Sequence, residues 1–106
     1  MEQSKIQTEY GIDITFVTFE DEKILEEAQI RELQKELEPV VDKNNQNQLV
    51  LNFANVSFMT SAMLGLLVRL HKRVNEHGGK LELRNLDKNL YKLFEITQLT
   101  KVFNIT

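Results

Sequence analysis

Apolar and polar residues alternate with a period of two at the start of the chain. Ile6-Gln7-Thr8-Glu9-Tyr10, a turn at Gly11, and Ile12-Asp13-Ile14-Thr15-Phe16 read as a β-hairpin with one buried face. The second strand can run on through Val17 and Phe19 before Glu20-Asp21-Glu22-Lys23 breaks the alternation. From about Ile24 to Glu38 the spacing becomes helical. Leu33 and Leu37 lie one turn apart, Ile30 precedes Leu33 by one turn, and Glu27 and Arg31 form a supportive charge pair. Pro39 disfavours helical backbone at Glu38, so this helix is expected to end or kink there. Val40 and Val41 then pack as a last turn before the polar loop Asn44-Asn45-Gln46-Asn47.

In the second half, Gln48-Leu49-Val50-Leu51-Asn52-Phe53 is nearly continuous apolar sequence, the pattern of a strand covered on both faces. A long helix is expected from about Ser61 to His77, closed by Gly78-Gly79. Leu81, Leu83 and Leu86 mark a further strand. Asp87 is a good N-cap for a third helix through about Ile96, with Leu86 and Tyr91 spaced as a hydrophobic staple. Val102-Phe103-Asn104-Ile105 supplies a short closing strand. Strands alternating with helices after an opening hairpin imply an α/β fold. The expectation is a mixed, mostly parallel sheet of about five strands with three main helices, in a single domain over residues 1–106.

Composition narrows the function. The 106 residues are 42% hydrophobic and 27% charged with net charge −3, and acids and bases are interleaved, so no basic stripe for nucleic acid stands out. The absence of cysteine excludes disulfides, thiolate chemistry and Cys-zinc sites. Met1-Glu2-Gln3-Ser4-Lys5 lacks an apolar signal core, and no apolar run approaches the ~20 residues of a membrane span, so a cytoplasmic protein without membrane contact is expected. Glycine-rich phosphate loops are missing, because Gly78-Gly79 follows a helix instead of preceding one. His71 and His77, six apart on one helix, form no metal pair. Nothing nominates either as a base for Ser61, so the reading is not an enzyme, with no catalytic residue, no metal and no cofactor of its own.

The distinctive stretch is Phe58-Met59-Thr60-Ser61-Ala62-Met63-Leu64-Gly65, which leads from a strand into the second helix. A hydroxyl at a helix N-terminus can cap the exposed N–H groups, and the same place favours a phosphate. Ser61 is therefore either an ordinary cap or a modification site; Thr60 is the cap if Ser61 lies in the first turn. Ala62 to Leu70 is almost wholly apolar, so its first turn is either deeply covered or part of a docking surface.

From Leu49 through Ser61, on through Leu64-Gly65-Leu66-Leu67 and Lys72-Arg73 to Gly78-Gly79, and again at Leu81–Leu86, Leu93–Leu99 and Val102-Phe103, the chain resembles the STAS domain family. It is similar in particular to stand-alone bacterial anti-sigma factor antagonists, over about Ile6 to Phe103. That family usually carries Asp-Ser-Ser/Thr-Gly at this junction. The resemblance makes Ser61 the phosphoacceptor, with Thr60 in the place of the Asp, Ala62 in that of the second hydroxyl residue and Met63 in that of the Gly; Thr60 is the alternative acceptor. It implies a partner surface of Glu26, Thr60, Ser61, Ala62 and Met63, with Met63 adding bulk where the partner approaches. The implied partners are an anti-sigma factor of the serine kinase type, bound when Ser61 is unphosphorylated, and a PP2C-type phosphatase that resets the switch. The alternative is a non-phosphorylated STAS scaffold or regulatory subunit of another complex, such as a lipid-transport ATPase.

Overall fold

The computed structural model describes residues 4–106; Met1, Glu2 and Gln3, the start of the segment read above as lacking a signal core, lie outside the described residues. The elements run β1 (Ile6–Tyr10), β2 (Ile14–Phe19), β3 (Lys23–Ile24), α1 (Glu27–Asn44), β4 (Gln48–Asn52), β5 (Phe58–Met59), α2 (Ser61–Glu76), β6 (Lys80–Arg84), α3 (Lys88–Ile96), a 3₁₀ turn (Leu99–Lys101) and β7 (Asn104–Ile105). Five strands form one sheet in the order β1-β2-β4-β6-β7, antiparallel between β1 and β2 and parallel elsewhere. This is the expected mixed α/β sheet with three helices. An additional two-stranded parallel ribbon of β3 and β5, which the sequence did not suggest, stands beside it.

Alternation sets the layers. Thr15, Val17 and Phe19 of β2, Leu49 and Leu51 of β4, and Leu81 and Leu83 of β6 are buried on one face of the sheet. Most of them share a single core with Ile30, Leu33 and Leu37 of α1, Met63, Leu67 and Leu70 of α2, and Leu90 and Phe94 of α3. The helices therefore lie on one side. On the other side Val50 is also fully buried, yet it lies outside that core. Its neighbours across the strands are Phe16 and Glu82, and the Arg84 guanidinium lies 6.0 Å from the Phe16 ring. Glu82 accepts hydrogen bonds from Gln48 Nε2 at 3.1 Å, Arg84 Nε at 2.8 Å and Thr106 Oγ1 at 3.3 Å. The expectation that β4 is covered on both faces is met on the second face by a lattice of polar side chains rather than by a helix.

Two boundaries are corrected. Ile12 does not belong to a strand: the Gly11 N–H bonds to the Ile14 carbonyl at 2.7 Å, the turn takes up residues 11–13, and Ile12 is 93% exposed. Helix α1 starts after Ile24, which pairs in β3, and it runs straight through Pro39 to Asn44. Proline in a helix interior removes one hydrogen bond and costs about 3 kcal/mol. Burial of Val40 and Val41 offsets this, since each buried valine contributes about 1.5–3 kcal/mol, and Pro39 itself sits on the exposed side.

The end of α2 follows the expected chemistry. Gly78 takes φ +81, and the Gly79 N–H returns to the Val74 carbonyl at 3.0 Å. A Cβ on Gly79 would stand 2.7 Å from the Asn47 carbonyl oxygen, so only glycine lets β6 leave so close to the β4 approach. Asp87 caps α3 by accepting from the Leu90 N–H at 2.9 Å. Tyr91 is exposed, although Leu86 packs against the core.

Candidate functional site at the start of the second helix

The β3–β5 ribbon brings two helix starts together. Lys23 is paired with Phe58 and Ile24 with Met59, and the Thr60 N–H donates to the Ile24 carbonyl at 3.2 Å. The chain on one side enters α1 after Glu26; on the other it enters α2 after Thr60. Ile24 and Met59 alternate inward into the core, so Lys23, Leu25 and Phe58 take the opposite, exposed side. Leu25 is 48% and Phe58 46% exposed, and the Lys23 ammonium lies 5.7 Å from the Phe58 ring centroid. This exposed apolar pair was not foreseen, though the period-two step from Phe58 to buried Met59 carries the signal.

The two helix starts differ in charge. At α1, Gln29 Oε1 reaches back to the N–H groups of Leu25 at 3.0 Å and Glu26 at 3.4 Å, and Glu27 adds an acid to the first turn. These groups answer the partial positive charge of the helix end. At α2 the first turn has no acid, and Thr60 in the N-cap position makes no side-chain capping bond. The start of α2 is the uncompensated one.

Each expected site residue has a definite place. Ser61 is the first residue of α2 and exposed; its hydroxyl makes no hydrogen bond among the described residues. Thr60 holds the cap position with extended backbone (φ −92, ψ 167), but its Oγ1 is buried without a partner, which favours Ser61 over Thr60 as the group another protein can reach. Ala62 is exposed beside Ser61, and Glu26 is exposed at the start of α1. Met63 corrects the expectation of added bulk at the surface: it is 0% exposed, because at the third position of α2 its side chain turns toward the sheet with Leu66, Leu67 and Leu70. The accessible set is thus Glu26, Ser61 and Ala62.

Neither histidine is placed as a base for Ser61. His71 packs its ring edge against Phe103, centroids 5.2 Å apart, and His77 Nε2 lies 3.4 Å from Asp42 Oδ1. His71 is ten residues further along a continuous helix, so about 15 Å separates it from Ser61 along the axis. Ser61 stands exposed at the first position of α2, away from both rings. Among the described residues no group of three or more metal-binding side chains converges, and no helix is long and apolar enough to cross a membrane.

The fold agrees with what the chain is similar to. The STAS domain family matches residues 8–106. The anti-sigma-B factor antagonist of Bacillus subtilis (strain 168) is 35% identical over 74 residues, 70% of this chain. The match spans 66% of that relative's length, just under two thirds. An anti-sigma-factor antagonist (STAS) domain protein from Planctomyces limnophilus has the same fold, with TM-score 0.86 at 17% identity over 94% of this chain and 87% of that one. The Bacillus cell fate determinant SpoIIAA in its phosphorylated form superimposes with TM-score 0.70 at 16% identity over 95% of this chain and 90% of that one. With a family match over nearly its whole described length, the chain belongs to the STAS domain family.

Proposed function

We propose that this chain is an anti-sigma factor antagonist that works by partner switching in the cytoplasm, with Ser61 as the phosphoacceptor. The observation that carries the reading is the exposed, hydrogen-bond-free hydroxyl of Ser61 at the one helix start of the site that lacks a compensating acid. Unmodified, the surface of Glu26, Thr60, Ser61 and Ala62, extended by Leu25 and Phe58, docks on an anti-sigma factor of the serine kinase type and frees the sigma factor. Half-exposed aromatic and aliphatic side chains beside a small polar centre suit such a contact. The similarity to the anti-sigma-B factor antagonist supports the partner class.

Phosphorylation adds close to two negative charges at Ser61. In the free chain these meet the positive end of α2 and its unpaired N–H groups, so the modified monomer is comfortable. In the complex the same charges sit in a desolvated apolar contact, and a penalty of even ~3 kcal/mol weakens binding more than a hundredfold. The domain need not change shape for this. A PP2C-type phosphatase resets the switch, and the chain supplies no catalysis and no cofactor.

The test is direct. Incubated with ATP and the purified serine-kinase anti-sigma factor from its own source, the wild-type chain gains one phosphate by intact mass, and Ser61→Ala gains none. A phosphate that persists on Ser61→Ala overturns Ser61 as the acceptor and moves it to another residue, Thr60 first; a wild-type chain that is never modified by a kinase it binds overturns Ser61 as well and favours a non-phosphorylated scaffold.

A further inference from the structure

Helices α1 and α2 pack along one another, and near Ser61 their seam opens into a hollow of about 340 Å³. Ile30, Ala62 and Gly65 line its apolar part, and Arg31, Gln34 and Arg69 its polar part. Gly65 lies in the interior of a helix, where glycine is less favourable than any other residue except proline. Close packing within the chain does not require it: a Cβ built on Gly65 meets only the Arg69 Nη1 atom, at 3.8 Å, and nothing from α1. The space above Gly65 is open although the fold would be sturdier with a side chain there.

The charges along the seam point the same way. Arg73, one turn beyond Arg69, is fully engaged: Nε and Nη2 bond Asp42 at 3.1 and 2.9 Å, and Nη1 bonds Glu38 at 3.3 Å. Arg69 makes no ion pair among the described residues, and Arg31 has only exposed Glu27 at 4.0 Å. The hollow therefore has two guanidinium groups against one carboxylate. Arg69 lies eight residues beyond Ser61, about 12 Å along the helix axis, so it belongs to a separate part of the surface.

We infer that this hollow is a second contact for the partner, taking an apolar side chain over Gly65 and an adjacent carboxylate of the partner on Arg69. The inference rests on the docking reading above and extends it from the Ser61 turn, through Ala62, along the α1–α2 seam. It assigns recognition to Arg69 and access to Gly65, and it identifies the partner element as an acidic-apolar segment. A guanidinium facing a carboxylate at the margin of an interface chiefly steers and selects, and its contribution falls with salt.

The experiment titrates the purified serine-kinase anti-sigma factor from the chain's own source with the wild type, Arg69→Gln, Arg69→Glu, Gly65→Leu and Ser61→Asp. Each titration is made at about 0.01 M and about 0.15 M ionic strength. Arg69→Gln is expected to weaken binding about tenfold and to flatten its salt dependence, and Arg69→Glu to weaken it further. Gly65→Leu is expected to raise the unfolding midpoint, since leucine favours the helix, while lowering affinity about tenfold or more. This opposite movement of stability and binding separates an occupied hollow from a damaged fold. Arg69 and Gly65 variants that bind like the wild type while Ser61→Asp does not overturn the inference and leave the docking reading intact. A wild-type chain that fails to bind the factor at all removes both.

Discussion

Thr60 and Ser61, adjacent in sequence, have opposite environments, and the difference comes from where the helix starts. Thr60 still belongs to the ribbon, its N–H committed to Ile24, and its hydroxyl is buried without a partner. Ser61 is one step later and exposed. A buried hydroxyl that makes no hydrogen bond has lost its water without replacement, at a cost of about 1–3 kcal/mol. Thr60→Val keeps the shape and discards the hydroxyl, so it is expected to leave the chain as stable or to stabilise it by about 1 kcal/mol. Urea unfolding measures this, and a loss of stability beyond that size would mean that Thr60 Oγ1 has a partner in solution. The sequence marked this pair as the centre of interest, because a hydroxyl at a strand-to-helix junction has few uses. It did not separate the buried hydroxyl from the exposed one, nor show Met63 turning inward, since both depend on the helix beginning at residue 61 rather than a residue either side.

Helix α1 shows local preference yielding to packing. Pro39 removes the N–H that would bond the Lys35 carbonyl, and its ring crowds the preceding turn. Leu33 and Leu37 before it, and Val40 and Val41 after it, are all buried on the same side, so breaking the helix would expose two valines to relieve one strained turn. Pro39→Ala is accordingly expected to stabilise the chain by about 1–2 kcal/mol, below the full ~3 kcal/mol penalty because position 39 is exposed and water meets the free carbonyl. A destabilised Pro39→Ala, read from the thermal midpoint, would show that the proline shapes α1 for its packing. The sequence located all three helices, and Ile30, Leu33 and Leu37 of α1 are buried as their spacing implied. Periodicity misplaced the ends where proline chemistry or a two-residue pairing such as β3–β5 competes with it, because so short a ribbon has no period to read.

Across the molecule the two faces of the sheet are built differently. The helix-bearing face is an ordinary apolar core, whereas the other face covers Val50 with Gln48, Glu82 and Arg84 bonded to one another. Glu82→Ala removes the common acceptor of that lattice and leaves Gln48 and Arg84 unanswered above a buried valine, so it is expected to cost about 1–3 kcal/mol. Chemical denaturation measures it, and an unchanged midpoint would mean that water replaces the carboxylate without loss. A mixed, mostly parallel sheet was legible from strands alternating with helices, but the cover on the second face was not: a run such as Leu49-Val50-Leu51 reads the same under a helix or under polar side chains. With its helices on one side, the molecule holds the starts of α1 and α2 together at the ribbon, where Ser61 stands exposed.

The proposed switch carries a signature in the free chain. Ser61→Asp places a carboxylate at the positive end of α2 and is expected to stabilise the free chain by about 0.3–1 kcal/mol. The decisive measurement compares the affinity of wild type, Ser61→Ala and Ser61→Asp for the serine-kinase anti-sigma factor, with thermal unfolding of each variant alongside. Ser61→Ala should bind like the wild type, and Ser61→Asp should release the factor by at least about a hundredfold while unfolding no earlier. Equal binding by all three variants would contradict a switch at this hydroxyl.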